Sequence, residues 1–172
     1  KIKHYKPMAQ FEIKDGVAII PDGTTEIEWG AFKNCSSLES VTIPESVTKI
    51  GYGAFDSCTS LKNITIPNSV TYIRDDAFKG CTSLESITIP ESVTKVGEKA
   101  FKDCKSLKSV IIPESVTNMG KSAFWNCTSL QSINIPELVT EIGDDVFASC
   151  RSLNSVVIPE RVTKIGNDAF CA

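Results

Sequence analysis

The chain has 172 residues, 18 Lys and Arg against 21 Asp and Glu, a net charge of −3 and 41% hydrophobic residues. This composition supports a buried core and argues against a nucleic-acid binder, which needs an excess of basic residues on one face. No apolar run approaches the ~20 residues that span a bilayer. A single histidine, His4, nearly excludes histidine-based catalysis and multi-histidine metal sites.

A cap precedes the main pattern of the sequence. Residues 1–20 differ in pattern from the rest of the chain, and two short apolar runs flank Asp15 and Gly16. An Asp-Gly pair between such runs is typical of a hairpin turn. We therefore predict that residues 1–20 form an N-terminal β-hairpin cap that protects the first coil.

A period of 23 residues runs through the remaining chain. Seven of the eight prolines, six of the seven cysteines and seven phenylalanines follow it, from Pro21 to Pro159, Cys35 to Cys150 and Phe32 to Phe170. A fixed period of this size is typical of a solenoid, in which each unit buries its apolar face only by stacking on its neighbours. Residues 21–172 are predicted to hold six full units and one partial unit. The last unit stops without a cap, so we expect the coil to continue in a longer parent protein or to have been cut.

Each unit begins with two strand patterns. In residues 84–90, Ile87 and Ile89 alternate with Ser86 and Thr88, which is strand periodicity, and Pro90 ends the strand. Residues 94–96 alternate again and predict a second, shorter strand whose middle residue lies in solvent. Neighbouring first strands should also pair charges, because one outward column reads Glu39, Lys62, Glu85 and Lys108.

The second half of each unit has helical spacing. Ala100, Phe101, Cys104 and Leu107 fall on one helical face, which predicts a helical or 3₁₀ turn. Acidic residues such as Asp75, Asp76, Asp144, Asp145 and Asp168 come where this turn begins, and we expect them to cap it and to favour its dipole.

The repeated pattern Pro-x-x-Val-Thr-x-Ile-Gly-x-x-Ala-Phe-x-x-Cys-x-Ser-Leu-x-x-Ile-x-Ile closely resembles the BspA-like subclass of leucine-rich repeats, over about residues 15 to 171. The resemblance implies an α/β repeat, a right-handed solenoid with a parallel β-sheet of short strands and helical or 3₁₀ turns on the other side. It also implies a bacterial protein, surface-exposed or secreted, that binds proteins or host components and is not an enzyme.

The cysteines can be interpreted in two ways. Several cysteines outside the cell suggest disulfides, but residues 23 apart stack in parallel, with Cβ vectors that make the disulfide dihedral hard to reach. The helical spacing places them on the buried face, so we favour an unpaired buried column. Cys171 is off the period and is expected to be exposed and reactive.

No catalytic residue, metal site or cofactor is predicted. A serine nucleophile has no histidine base nearby, Cys-x-x-Cys and Cys/His clusters do not occur, and basic and small residues interrupt the acidic pairs that could gather calcium.

The candidate binding surface is the strand face that leucine-rich repeats turn to their concave side. Small hydroxyl and amide side chains dominate it, and two positions are apolar. Its candidate residues are Ser40, Thr42, Asn63, Thr65, Ser86, Thr88, Ser109, Ile111, Ser132, Asn134 and Val157. Four variable aromatic residues are further candidate contacts: Trp29, Tyr52, Tyr72 and Trp125. Trp29 and Tyr52 occupy the same place in adjacent coils and should stack.

We therefore predict non-catalytic recognition of a protein partner through the concave sheet and adjacent turns, in an interaction or adhesion module. A host or extracellular-matrix partner and a cell-surface or secreted location follow from the resemblance alone. Two alternatives stay open: a structural spacer or stalk that self-associates end to end, supported by the uniform units, and a carbohydrate-binding repeat, which rests on Trp29 and Tyr52.

Overall fold

The computed structural model describes residues 11–172, which form a parallel-strand solenoid of about six turns. The strands in chain order are β1 Ile13–Lys14, β2 Val17–Ile19, β3 Glu26–Ile27, β4 Ser40–Thr42, β5 Lys49–Ile50, β6 Asn63–Ile64, β7 Tyr72–Ile73, β8 Ser86–Thr88, β9 Lys95–Val96, β10 Ser109–Ile111, β11 Asn118–Met119, β12 Ser132–Asn134, β13 Glu141–Ile142, β14 Ser155–Val157 and β15 Lys164–Ile165. The even-numbered strands form the first sheet, and the odd-numbered strands from β3 onward form the second.

The N-terminal hairpin forms around the Asp-Gly pair. Lys14 pairs antiparallel with Val17, and Asp15 and Gly16 both have positive φ, at 50° and 79°. These are the dihedrals that a two-residue hairpin turn requires. β2 then pairs in parallel with β4, so the hairpin supplies the first strand of the first sheet. Residues 1–10 of the predicted cap lie outside the described residues, and the boundary at residue 20 stays a prediction.

Strand pairing keeps the 23-residue register. Ser109, for example, is aligned with Ser86 on one side and Ser132 on the other. Within residues 11–172 each sheet is interrupted once, because β6 does not pair with β8 and β11 does not pair with β13. Both interruptions lie between consecutive coils, and the turns still connect these coils by main-chain hydrogen bonds such as Ser57 N–H to Lys79 O and Ser122 N–H to Asp144 O.

The predicted helical turns are wrong in detail, because the described residues contain no helix. The segment after each second strand is a series of turns with two left-handed residues, for example Ser122 at φ 55° and Asn126 at φ 59°. A right-handed helix cannot continue through such residues. Instead, Phe124 donates its N–H to Val146 O of the following coil at 2.9 Å. The turns therefore stack by hydrogen bonds between coils.

Two of the acidic residues, Asp75 and Asp144, bind the next coil instead of capping a helix. Asp75 Oδ1 accepts the N–H of Glu98 at 3.0 Å, and Asp144 Oδ1 accepts the N–H of Asn167 at 2.9 Å. A carboxylate satisfies a main-chain donor here much as it would at a helix N-terminus. The predicted binding of main-chain N–H groups is therefore right for Asp75 and Asp144, in a different structural context, whereas Asp76, Asp145 and Asp168 adopt positive φ in the turns.

A stack of phenylalanine rings runs along the core. Adjacent rings from Phe32 to Phe170 have centroids 5.1–5.7 Å apart, and their planes are tilted by 2–21°. Phe11, which is off the period, covers the N-terminal ring at 5.6 Å. The stack is fully buried in the middle coils. It gives the solenoid one continuous apolar core.

The cysteines form a second buried column, as predicted. Cys58, Cys81, Cys104, Cys127 and Cys150 are buried, and each thiol lies 3.1–3.2 Å from a phenylalanine carbonyl oxygen, to which it donates. Burial raises the pKa of these thiols, from 9.0 to about 12 for Cys58 and about 11 for Cys150. Cys35 is half-buried and Cys171 is exposed.

Thiol labelling checks this column. At pH 8.5 in the native protein, Cys171 should react fast, Cys35 more slowly, and the five buried thiols only after unfolding. The folded state keeps these thiols protonated up to pH values at which an unfolded chain has lost the proton, so the reactive thiolate is scarce until the chain unfolds. Fast native labelling of most cysteines would contradict the buried column.

Candidate functional site

The outward face of the first sheet carries the predicted binding residues in two columns. One column contains small polar residues after an initial Val17, and the other changes character along the solenoid. The first is Val17, Ser40, Asn63, Ser86, Ser109, Ser132 and Ser155, and the second is Ile19, Thr42, Thr65, Thr88, Ile111, Asn134 and Val157. Apart from the half-buried Ser40, these side chains are exposed. The structure therefore brings the predicted residues to one sheet face.

Three apolar side chains project from the second column. Ile19 is 72% exposed, Ile111 60% and Val157 79%. Ile111 and Val157 are two coils apart, about 10 Å at the usual strand spacing. Ile19 was not among the predicted contacts, although it lies 23 residues before Thr42 and the period alone could have placed it there. Leu138 was missed too; it is exposed in the turn after β12, where Ser69, Ser92 and Ser115 stand in other coils.

A groove opens on this face where the first sheet is interrupted. Its volume is about 440 Å³, and its lining includes Asn63, Thr65, Ser86 and Thr88. The hydrogen bond from Glu85 N–H to Lys62 O, which joins these two coils, is long at 3.4 Å. Four predicted contact residues therefore line one depression, together with apolar residues such as Ile64 and Ile87.

Asn134 is engaged within the sheet. Its Nδ2 donates to Ile112 O at 2.7 Å, and its Oδ1 accepts the Ile112 N–H at 3.3 Å. In an earlier coil the equivalent donor, Ile89 N–H, instead bonds the main-chain oxygen of Ile111. The Asn134 amide thus replaces a main-chain acceptor, and a substitution there would disturb the strand edge as well as any contact with a partner.

Ion pairs cover the column beside this face. Lys62 Nζ lies 2.8 Å from Glu39, and Lys108 Nζ lies 2.8 Å from Glu85, as the alternating signs predicted. Hydrogen bonding to the lysines lowers the pKa of both glutamates. These charges are neutralised by their neighbours, so the adjacent Ser/Thr face is the more available surface.

The aromatic candidates lie on the other side of the coil, with the second sheet and its turns. Trp29 and Tyr52 are exposed. The prediction that their rings stack on each other is wrong, since the stacked ring pairs within residues 11–172 are all formed by phenylalanines. The guanidinium of Arg74 lies 5.2 Å from the Tyr52 ring centre and 5.3 Å from that of Tyr72. Trp125 is separate and is covered by the ammonium of Lys102 at 4.3 Å.

Metal clusters and membrane-spanning helices are both missing from the described residues. Within residues 11–172 no group of three or more His, Cys, Asp or Glu side chains is arranged to hold a metal ion. The described part of the chain also has no helix with the length and apolar character needed to cross a membrane.

The chain matches the family model of the BspA type leucine-rich repeat region in six copies, over residues 16–94 and 48–172. No curated protein matches the chain. Leucine-rich repeat proteins of this type are generally non-catalytic interaction or adhesion modules and are typically surface-exposed or secreted.

Solved structures of bacterial leucine-rich repeat proteins are similar to it. A leucine-rich repeat protein of Treponema pallidum is 38% identical, with a TM-score of 0.84 over 88% of this chain and 73% of that one. A Bacteroides ovatus leucine-rich repeat protein is 31% identical, with a TM-score of 0.74 over 87% and 47%. A leucine-rich cell surface protein of Faecalibacterium prausnitzii is 34% identical, with a TM-score of 0.60 over 83% and 32%.

The chain spans less than half the length of the last two of these proteins, so each of them has regions that this chain does not match. The family match covers residues 16–172, which is most of the chain, and the repeat geometry agrees with it. The chain belongs to the BspA-type leucine-rich repeat family.

Proposed function

We propose that this chain is a non-catalytic recognition module that binds a protein partner through the outward face of its first sheet and the adjacent turns. The observation that carries the proposal is the exposure of Ile111 and Val157 on a flat sheet face without charged side chains. Apolar side chains in such a position lose unfavourable contact with water when a partner covers them. The surrounding serine and threonine hydroxyls can hydrogen-bond the same partner.

The changes along the second column supply the variation that specific recognition needs. Thr42, Thr65 and Thr88 are followed by Ile111, Asn134 and Val157, so the C-terminal half of the face differs from its middle. A spacer would have no use for two apolar residues in an otherwise hydroxyl-bearing column.

The location proposed for the whole protein is the cell surface or the extracellular space, and the proposed partner is a host or extracellular-matrix protein.

Capture of host-cell and extracellular-matrix proteins tests the proposal. The double variant Ile111→Thr/Val157→Thr gives both positions the residue found in three other coils, so it should fold normally. We expect it to bind the captured protein about tenfold more weakly, since a partner that covers Ile111 and Val157 removes more apolar surface from water than one that covers two threonines. Glu45→Gln, an exposed charge on a turn, serves as the control.

Three results would refute the proposal. The first is equal capture by the wild-type protein and the double variant, and the second is an equal loss of capture in Glu45→Gln. The third is failure to capture any protein together with concentration-dependent end-to-end association in solution, which would favour the stalk alternative. Thermal unfolding of each variant separates a loss of binding from a loss of folding.

A further inference from the structure

The surface around Arg74 departs from the repeat in a way that the proposed protein contact does not explain. The column that contains it reads Glu28, Gly51, Arg74, Gly97, Gly120, Gly143 and Gly166. Glycine fits this place because a Cβ at Gly51 would come within 2.8 Å of main-chain atoms of the preceding coil, and one at Gly97 within 2.5 Å. Arg74 therefore introduces a side chain where most coils exclude one.

Main-chain pairing is less regular at Arg74 than at most other coils. Gly51 and Gly97 donate their N–H groups to Ile27 O and Ile73 O at 2.8 Å, but the equivalent bond from Arg74 is absent from the described residues. β5 and β7 are aligned at one residue pair, whereas β7 and β9 are aligned at two. The coil thus gives up regular pairing at Arg74, and no ion pair of Arg74 with another of residues 11–172 offsets this loss.

The guanidinium of Arg74 is held but not neutralised. It lies 5.2 Å from the Tyr52 ring centre and 5.3 Å from that of Tyr72, and the Lys95 ammonium lies 5.3 Å from the Tyr72 ring centre. The Asp75 carboxylate accepts a hydrogen bond from the Tyr72 hydroxyl at 3.4 Å. Neither Arg74 nor Lys95 forms an ion pair with a described residue, a property they share with other cations of residues 11–172 such as Lys102 and Arg151 but not with Lys62 or Lys121. What distinguishes Arg74 and Lys95 is that both lie over the Tyr72 ring.

Arg74 is half-buried, and its column neighbours do not cover its guanidinium. Gly51 and Gly97 have no side chains to cover the guanidinium from either side along the solenoid. The guanidinium is planar, so its N–H donors lie at its edges. A fork of this kind binds a carboxylate through two parallel hydrogen bonds. Two cations without a carboxylate partner among the described residues favour an anionic ligand.

Trp29 provides an apolar platform at the same site. It precedes Tyr52 by one coil in a shared column, and 68% of its surface is exposed. A large, open ring face is suited to the flat apolar face of a sugar ring, whereas the side-chain anchor of a protein partner usually needs a desolvated pocket. The combination of a ring platform and a carboxylate-binding fork thus fits an acidic sugar better than an acidic peptide.

We propose that Trp29, Tyr52, Tyr72, Arg74 and Lys95 form a binding site for a sugar carboxylate, as in a glycan that contains uronic acid. The sugar carboxylate accepts hydrogen bonds from the Arg74 guanidinium, with the Lys95 ammonium beside it. A neighbouring ring of the glycan packs on Trp29. This site is separate from the first-sheet face, so its test is independent of the proposed protein contact.

Fluorescence titration tests the site. In a Trp125→Phe background Trp29 is the only tryptophan, and a hyaluronan oligosaccharide should change its emission in a saturable manner at millimolar concentration or below. A neutral maltooligosaccharide of equal length should not. Arg74→Gly, which restores the common residue of the column, should weaken binding by at least about tenfold. Lys121→Gln, which removes a cation elsewhere on the second sheet, should leave it unchanged.

The proposal is overturned if the hyaluronan oligosaccharide gives no saturable change, if the neutral oligosaccharide binds equally well, or if Arg74→Gly binds as the parent protein does. Saturable binding of a glutamate-rich peptide without binding of the glycan would also overturn it, in favour of an acidic protein ligand. Because Arg74→Gly carries the residue of the neighbouring coils, it should keep the fold, which circular dichroism and thermal unfolding would verify.

Discussion

Replacing Phe101 with alanine should lower the free energy of unfolding by about 3–5 kcal/mol. Phe101 is fully buried in the middle of the ring stack, with Phe78 at 5.4 Å on one side and Phe124 at 5.2 Å on the other. Its loss leaves a cavity and removes two ring contacts at once. Chemical denaturation monitored by circular dichroism measures the change.

Phe170→Ala is the matched control at the C-terminal end of the same stack. Phe170 is partly exposed and has a described ring neighbour on one side only, Phe147 at 5.4 Å. The same change should therefore cost much less there than at Phe101. Equal effects at the two positions would contradict a continuous core in which the middle rings are supported from both sides.

Replacing Gly120 with alanine should also destabilise the protein, by about 1–3 kcal/mol or more. A Cβ at this position would lie 2.5 Å from the carbonyl carbon of Gly97 in the preceding coil. The Gly120 N–H also donates to Val96 O at 2.8 Å, so the two coils cannot separate without losing a main-chain bond. Thermal unfolding provides the measurement.

Gly143→Ala changes the equivalent glycine of the next coil and should have a small effect. Its added Cβ would meet nothing closer than the Val146 side chain at 3.7 Å, because β11 and β13 stand apart here. An alanine without strain reduces the freedom of the unfolded chain and can even stabilise the protein slightly. If both glycine variants lost the same stability, the interruption of the second sheet would be called into question.

The period and the residue types predicted much of the fold. Pro90 ends a strand pattern, Ile87 is buried and Thr88 is exposed, so the two-residue alternation correctly assigned the faces of β8. The predicted charge pairing of Glu39 with Lys62 follows from the same alignment and is confirmed. These features depend on local alternation and on stacking at one fixed interval, and the sequence contains both.

The helical turns were not predictable in the same way. Ala100, Phe101 and Cys104 have helical spacing, but Lys99 and Asp103 adopt positive φ on either side of Phe101. The spacing indicates which side chains face the core, but it does not indicate which residues adopt a left-handed backbone conformation. The recurrence of Asn, Asp, Ser or Gly at two fixed places, with Lys99 as the exception, was the available signal, since these residue types tolerate the left-handed region better than most.

The candidate sites, too, were only partly predictable from the sequence. The sequence placed Ile111 and Val157 on the exposed face, because the alternation of a strand fixes which residues point outward. It did not reveal that the amide of Asn134 is used by the Ile112 main chain, since an asparagine in that column could face solvent equally well. It also gave no sign that the Arg74 guanidinium contacts the rings of two tyrosines from adjacent coils, because those contacts depend on side-chain conformation.

The most direct test of the central claim, recognition through the first-sheet face, is hydroxyl-radical footprinting of the protein with its captured partner. The account predicts that the partner protects Ile111 and Val157 from oxidation, while exposed residues elsewhere, such as Ile165 near the C-terminal end, stay as reactive as in the free protein. Protection of Ile165 with unchanged oxidation of Ile111 and Val157 would contradict the account.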